Sequence, residues 1–365
     1  MSQVCLSDLS TEALLEKKAQ LTKSISKFDN MQYAKKVQLN SAYGALGNQY
    51  FRYYDVAQAE AVTLSGQLAI RWIEKTLNKY LNKILKTDSV DYVIAIDTDS
   101  VYLSVSEIVQ RALPSDSSKS TVVDFLDHIA ENKLQKVIDR SYQRLADYLN
   151  CYAQKMYMKR ECICDRGIWT AKKRYALNVY DNEGVRYETP KLKIMGLEVI
   201  KTVISAPCKE KLKESLRIMM SGTESELQDH VKEFRKQFYS LKPEEIAFPR
   251  GVNGIEKYST SDLKCIKGTP MHVRAAINFN RMIHEMSLTQ QYQSIRDGDR
   301  IKFVFLSEPN PTGQDVIAFS TVLPREFGLC EYIDYARQFE KSFVSPLQLI
   351  LDKINWSMVK RNKLF

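Results

Sequence analysis

No apolar run in this 365-residue chain approaches the roughly 18 to 20 residues that a membrane span requires, so no membrane partner is expected. Asp8 and Glu12 stand where a secretory signal would carry basic residues, and the expected location is cytoplasmic. Of 7 cysteines only Cys162 and Cys164 are close in sequence, and no second Cys or His cluster has zinc spacing. Reduced, mostly buried thiols are expected. There is neither an internal repeat nor a low-complexity tract.

What is present is an ordinary globular composition, 44% hydrophobic and 27% charged, long enough for two to three domains at roughly 150 residues each. Lys and Arg number 53 against 44 Asp and Glu, a net charge of +9. That surplus favours a polyanion partner, nucleic acid above all, although many basic proteins bind no anion.

The pattern is helical and highly charged from residue 11 to about 48, with Gly44 and Gly47 as stop signals. Ala57, Ala61, Leu64, Leu68, Ile73, Leu77, Leu81 and Ile84 recur at threes and fours and predict an amphipathic helix over 56–85. Residues 91–105 change period: two apolar runs flank Asp97-Thr98-Asp99-Ser100, which predicts a hairpin. A Ser-rich loop at 114–120 leads to a second long helix over 122–150, and residues 155–195 read as strands with a turn at Asp181-Asn182-Glu183-Gly184. Helices follow at 207–221, 224–240 and near 272–285, with a Pro/Gly-bearing stretch at 243–269 and a strand pair around 308–313. The change of character near residue 196 suggests a domain boundary.

Three groups of residues could carry chemistry. On a strand, residues two apart face the same way, so Asp97 and Asp99 would converge at the tip of an apolar ribbon and suit a hard divalent cation; an ordinary polar turn uses the same residues. Lys36, Asn40 and Tyr43 stand at i, i+4 and i+7 of the first helix, a face able to hold a phosphate tail, a sugar and a base, or simply a solvated face. Lys172-Lys173-Arg174-Tyr175 opens a strand whose alternation would put Lys173 on the face of Tyr175, either to meet nucleic-acid phosphate or as a basic edge that discourages aggregation. Asp181 and Glu183 are read as turn residues, not as a metal pair.

In their order and spacing, Lys36-x-x-x-Asn40-Ser41-x-Tyr43-Gly44, Asp97-Thr98-Asp99-Ser100 and Lys172-Lys173-Arg174-Tyr175 resemble the family B DNA polymerases. The wording Phe51-Arg52-Tyr53-Tyr54-Asp55 and Lys191-Leu192-Lys193-Ile194-Met195-Gly196-Leu197-Glu198 is similar to the replicative polymerases of T-even-type bacteriophages. The resemblance implies an α+β fold with 1–47 as the C-terminal half of the fingers, 48–196 as the larger part of the palm and 197–365 as a mostly helical thumb. It implies a DNA-directed DNA polymerase that uses two magnesium ions and dNTPs on primer-template DNA, in the cytoplasm of an infected bacterial cell.

Residue by residue, the resemblance makes Lys36 the lysine on the incoming triphosphate, Asn40 a fingers residue near it, and Tyr43 the ring lining the nascent base pair. Asp97 and Asp99 become the paired metal-binding aspartates, Lys173 the palm lysine near the primer terminus, and Glu161 a palm acid close to the metals. Lys172, Arg174 and Tyr175, with His272 and Arg274 in the thumb segment Lys267-Gly268-Thr269-Pro270-Met271-His272-Val273-Arg274, would contact duplex.

The chain also departs from the family. Ala95-Ile96 replaces the usual Tyr-Gly, and no Asp-x-x-Ser-Leu-Tyr-Pro-Ser segment brings the third metal-binding aspartate. The exonuclease domain and the first fingers helix are missing, and the clamp-binding tail is curtailed at Lys363-Leu364-Phe365, so a sliding clamp is expected to make little contact. An N-terminal polymerase chain is therefore expected as a partner in a split enzyme; a catalytically inactive duplex-binding module and a remnant or fragment of a longer polymerase are the alternatives.

Overall fold

The Ser10 hydroxyl accepts the amide of Ala13 at 3.3 Å and starts α1, Thr11–Leu46, in a computed structural model that describes residues 10–260 and 262–359. Gly44 does not stop this helix, which runs on to Leu46 and is capped by Gly47. None of its residues is buried. Asp55 then caps α2, Val56–Leu85, by accepting the Gln58 amide at 3.1 Å. The described residues divide into two compact units between Lys159 and Arg160.

In the first unit the apolar stripe of α2 is buried only in its second half, through Ala69, Ile73, Leu77, Leu81 and Leu85. Ala57, Ala61, Leu64 and Leu68 share its period but are exposed, and Leu85 takes the buried place expected of Ile84. The hairpin is β1, Val93–Asp97, with β2, Ser100–Leu103, antiparallel. Next come α3, Ser106–Ala112, which periodicity did not reveal, and α4, Lys119–Ile129. A π-helical turn, Ala130–Leu134, joins α4 to α5, Gln135–Tyr148, so the expected long helix is interrupted. Ile138, Tyr142 and Leu145 of α5 pack on α2, where Trp72 donates to the Ser141 carbonyl oxygen at 3.1 Å. Each such buried aliphatic side chain contributes roughly 1.5–3 kcal/mol.

The second unit opens with an antiparallel sheet of β3, Cys162–Ala171, β4, Arg174–Asn182, and β5, Val185–Met195, in the order β3-β4-β5. Central β4 is buried almost throughout. Beyond it lie α6, Ala206–Ser221; α7, Glu224–Phe238; the short α8, Pro243–Ile246; β6, Phe248–Gly251; α9, Ile255–Tyr258; and α10, Met271–Glu285. A second antiparallel sheet, β6-β7-β8, adds β7, Arg300–Phe305, and β8, Val316–Phe319, which flank the expected turn around 308–313. The chain continues through α11, Tyr335–Phe339, and α12, Ser345–Ile354. Phe234, Phe238, Phe339 and Phe343 form an aromatic core, with centroids of Phe234 and Phe343 4.9 Å apart. The result is the expected α+β class, with antiparallel sheets alongside helices. No helix among the described residues is long and apolar enough to cross a membrane.

Candidate functional site

The hairpin tip is built from α2 upward. Asn78 and Asn82, one turn apart, turn polar side chains toward the segment that enters β1. The Asn78 Oδ1 accepts the amides of Tyr92 at 2.8 Å and Val93 at 3.2 Å, while Asn82 accepts the Val90 amide at 3.0 Å and donates to the Val90 carbonyl oxygen at 2.7 Å. The Tyr92 hydroxyl donates to Glu107 of α3 at 2.9 Å. With its base fixed, the ribbon pairs Ile96 with Val101 and Asp97 with Ser100, leaving Thr98 and Asp99 as a two-residue turn.

Strand alternation therefore does not bring the two aspartates together, because Asp99 lies in the turn and not on β1. What links them is the turn itself: the Asp99 amide donates to the Asp97 carbonyl oxygen at 2.7 Å, and Thr98 adopts φ 55°. A β-branched residue in that region is strained, a cost that clusters at functional sites. Asp97 is half-buried and Asp99 exposed. The Thr98 hydroxyl donates to the Asp97 carboxylate at 3.2 Å and the Ser100 hydroxyl to that of Asp99 at 3.3 Å.

Their oxygens are the hard donors that magnesium prefers, so the donor chemistry fits. The set is only part of a two-metal centre, and among the described residues no three His, Cys, Asp or Glu side chains assemble as a metal cage.

Lys36, Asn40 and Tyr43 are all exposed on α1. Lys36 and Asn40 line one surface depression with Phe28, Met31 and Leu39; Tyr43 lies one turn further along the same face.

In the second unit Ala171 pairs with Arg174, which makes Lys172 and Lys173 the turn between β3 and β4 instead of the start of a strand. Lys173 has φ 61°, so alternation does not apply to it. Both lysines are exposed. Arg174 is paired with Glu198, and Tyr175 is buried with its ring 6.1 Å from that of Trp169.

Glu161 lies just ahead of β3, where Lys193 Nζ holds its carboxylate at 2.5 Å. Burial lowers the Lys193 pKa, but the Glu161 hydrogen bond and charge outweigh it and leave the ammonium above its usual range. Asp181, read from sequence as a turn residue, is fully buried: it pairs with Arg160 and with Arg186 Nε at 3.0 Å, and accepts the Gly184 amide at 3.1 Å. Asp97 and Asp99 belong to the first unit; Glu161 and Lys173 belong to the second.

Arg274 of α10 donates to Asp315 at 2.6 Å and lines a cavity of about 560 Å³ with Lys264, Lys267 and Arg281. The Arg274 Nε is buried without a protein partner. Lys264 and Arg281 escaped the sequence reading because they stand apart in the chain and match no motif. His272, on the first turn of α10, has its pKa lowered by burial and by the nearby Arg250 charge. Burial raises the Cys162 thiol and pushes Cys164 to about 12. Cys208 is buried, but Cys151 and Cys330 are exposed, so the expectation of mostly buried thiols holds only in part; Cys5 lies outside the described residues.

A family model described as DNA polymerase family B matches residues 11–353. The chain is 37% identical over 329 residues to the DNA-directed DNA polymerase of Enterobacteria phage T4, an alignment covering 87% of this chain and 36% of that one. It is 35% identical over 351 residues to the DNA-directed DNA polymerase of Escherichia phage RB69, covering 92% and 38%. A DNA polymerase of Thermococcus gorgonarius is 26% identical over 299 residues, covering 81% and 31%. The chain thus spans little more than a third of the length of its phage relatives. Matched over nearly all its length, this chain belongs to DNA polymerase family B.

Proposed function

We propose that this chain is the C-terminal portion of a replicative DNA polymerase, with 1–47 in the fingers, 48–196 in the palm and 197–365 in the thumb, and that it adds dNTPs to a primer 3'-hydroxyl. The observation that carries the reading is the hairpin tip with Asp97 and Asp99, inside a chain matched to the family over residues 11–353. Asp97 and Asp99 would hold the divalent ions, Asp99 more directly; the resemblance also assigns Glu161 to the metals, a role that would require Lys193 to release its carboxylate. Magnesium, when bound there, would supply activation of the primer hydroxyl and neutralisation of the triphosphate. Lys36 grips the triphosphate, Asn40 stands beside it, and Tyr43 lines the nascent pair.

Lys172, Lys173 and Arg174 present cations to the primer strand. The cavity cations Lys264, Lys267, Arg274 and Arg281, with His272 beside them in the thumb, hold duplex phosphates. Duplex binding should be strongly salt-dependent.

Two carboxylates do not complete a two-metal centre, so the remaining aspartate, the first fingers helix and the exonuclease are assigned to an N-terminal polymerase portion. The exposed apolar side chains of α1, including Leu15, Ile25, Phe28 and Leu39, are suited to packing against it. Primer extension in magnesium, measured before and after that portion is added as a separate chain, tests this. Extension should appear on addition. A steady rate from this chain alone, unchanged by the addition, would contradict the dependence; duplex binding without extension in any mixture would leave an inactive binding module.

A further inference from the structure

The backbone of Lys173 is touched by a glycine on the neighbouring strand end. Met195 pairs with Tyr175 at the end of β5, and the next residue, Gly196, turns with φ 63°. A Cβ on Gly196 would stand 2.1 Å from the Lys173 carbonyl oxygen, 3.2 Å from its carbonyl carbon and 3.3 Å from Arg174 Cγ. Two of these are backbone atoms, so no rotamer change relieves the overlap. Gly196 is thus required twice, for its left-handed conformation and for the close approach.

The residues after Gly196 complete the hold on the turn. Leu197 and Val199 are fully buried and anchor the segment, while Glu198 between them pairs with Arg174 and accepts from Lys201 at 3.1 Å. The Lys172-Lys173 turn is therefore braced on its backbone by Gly196 and on its flank by Glu198. Lys173 itself keeps φ 61°, a conformation that a turn free to relax would leave.

We propose that Gly196 is a positioning residue that sets Lys173 against the primer phosphate. This rests on the reading of Lys173 as a primer-strand contact.

The test is the affinity of the full chain for a fluorescently labelled primer-template duplex between about 50 and about 200 mM salt. Lys173→Ala should weaken binding about fivefold and flatten the plot of log affinity against log salt by about 0.9, the loss of one phosphate contact. Gly196→Ala should reproduce both changes, and the double variant should be no weaker than Lys173→Ala alone. Gly184→Ala is the control: that glycine has φ 88° on the other turn of the same sheet, with nothing within 4 Å of a Cβ, so it carries the backbone strain without the contact. It should leave the slope unchanged. Should Gly196→Ala fail to fold, Glu198→Gln decides, with a flattened slope that disappears in the Lys173→Ala background. If Lys173→Ala changes nothing, the primer-contact reading falls and the positioning role falls with it. If Lys173→Ala weakens binding but Gly196→Ala or Glu198→Gln matches the control, or adds to it independently, the positioning role alone is overturned.

Discussion

The amide of Asp99 donates to the carbonyl oxygen of Asp97 at 2.7 Å, across a Thr98 held at φ 55°. The two carboxylates are thus tied by a three-residue turn whose conformation a free chain would avoid. The strain is sustained by what lies beneath: Asn78 on α2 fixes the start of β1 and Asp97 pairs with Ser100 at its end.

Removing that support should be measurable. Asn78→Ala leaves the amide of buried Tyr92 without its acceptor, and Val93 keeps only the Asp91 carboxylate at 3.0 Å. An unsatisfied buried donor costs about 1–3 kcal/mol. Denaturant unfolding should show a loss of that size; no change would mean that the hairpin is anchored by other contacts.

Lys36 stands exposed on α1 near Asn40, and its ammonium is assigned to the triphosphate. Lys36→Ala should raise the apparent nucleotide KM about tenfold, the loss of one hydrogen bond to a charged group, while duplex affinity stays constant. Steady-state extension over a range of dNTP concentrations measures this, and an unchanged KM would remove Lys36 from the nucleotide site.

Burial pushes the Cys164 thiol from 9.0 to about 12, with the Cys162 and Asp165 charges adding to the effect. Only the thiolate reacts, so at pH 8 its reactive fraction is about a thousandth of an unperturbed thiol's. Iodoacetamide labelling followed by peptide mass spectrometry should find exposed Cys151 and Cys330 modified first, with Cys164 and fully buried Cys208 far behind them. Labelling of Cys164 at the pace of Cys151 would contradict the packing of β3.

Much of this fold was legible in sequence because burial follows period. The second half of α2 buries the residues at threes and fours, and the hairpin stands where two apolar runs flank a polar turn. The failures have physical causes. Period alone could not tell that Leu64 and Leu68 stay exposed among the described residues, since exposed and buried stripes look alike in one chain. Counting alternation through Asp99 and Lys173 failed because each lies in a two-residue turn with a left-handed residue, Thr98 or Lys173, where the strand period ends. Asn78, Lys264 and Arg281 carry no periodic signal, and the meeting of Gly196 with Lys173 depends on the register of β4 with β5, which no local pattern encodes.

The proposed role of Asp97 and Asp99 is to form the metal-binding tip of a polymerase palm. Its most direct test is primer extension by the Asp99→Ala variant, assembled with the N-terminal polymerase portion, alongside its affinity for the same duplex. Extension should be abolished while affinity stays within a few fold, because an exposed turn carboxylate can be removed without disturbing the phosphate contacts. Extension at the parental rate would contradict the catalytic role, and a collapse of duplex affinity would make Asp99 a structural residue.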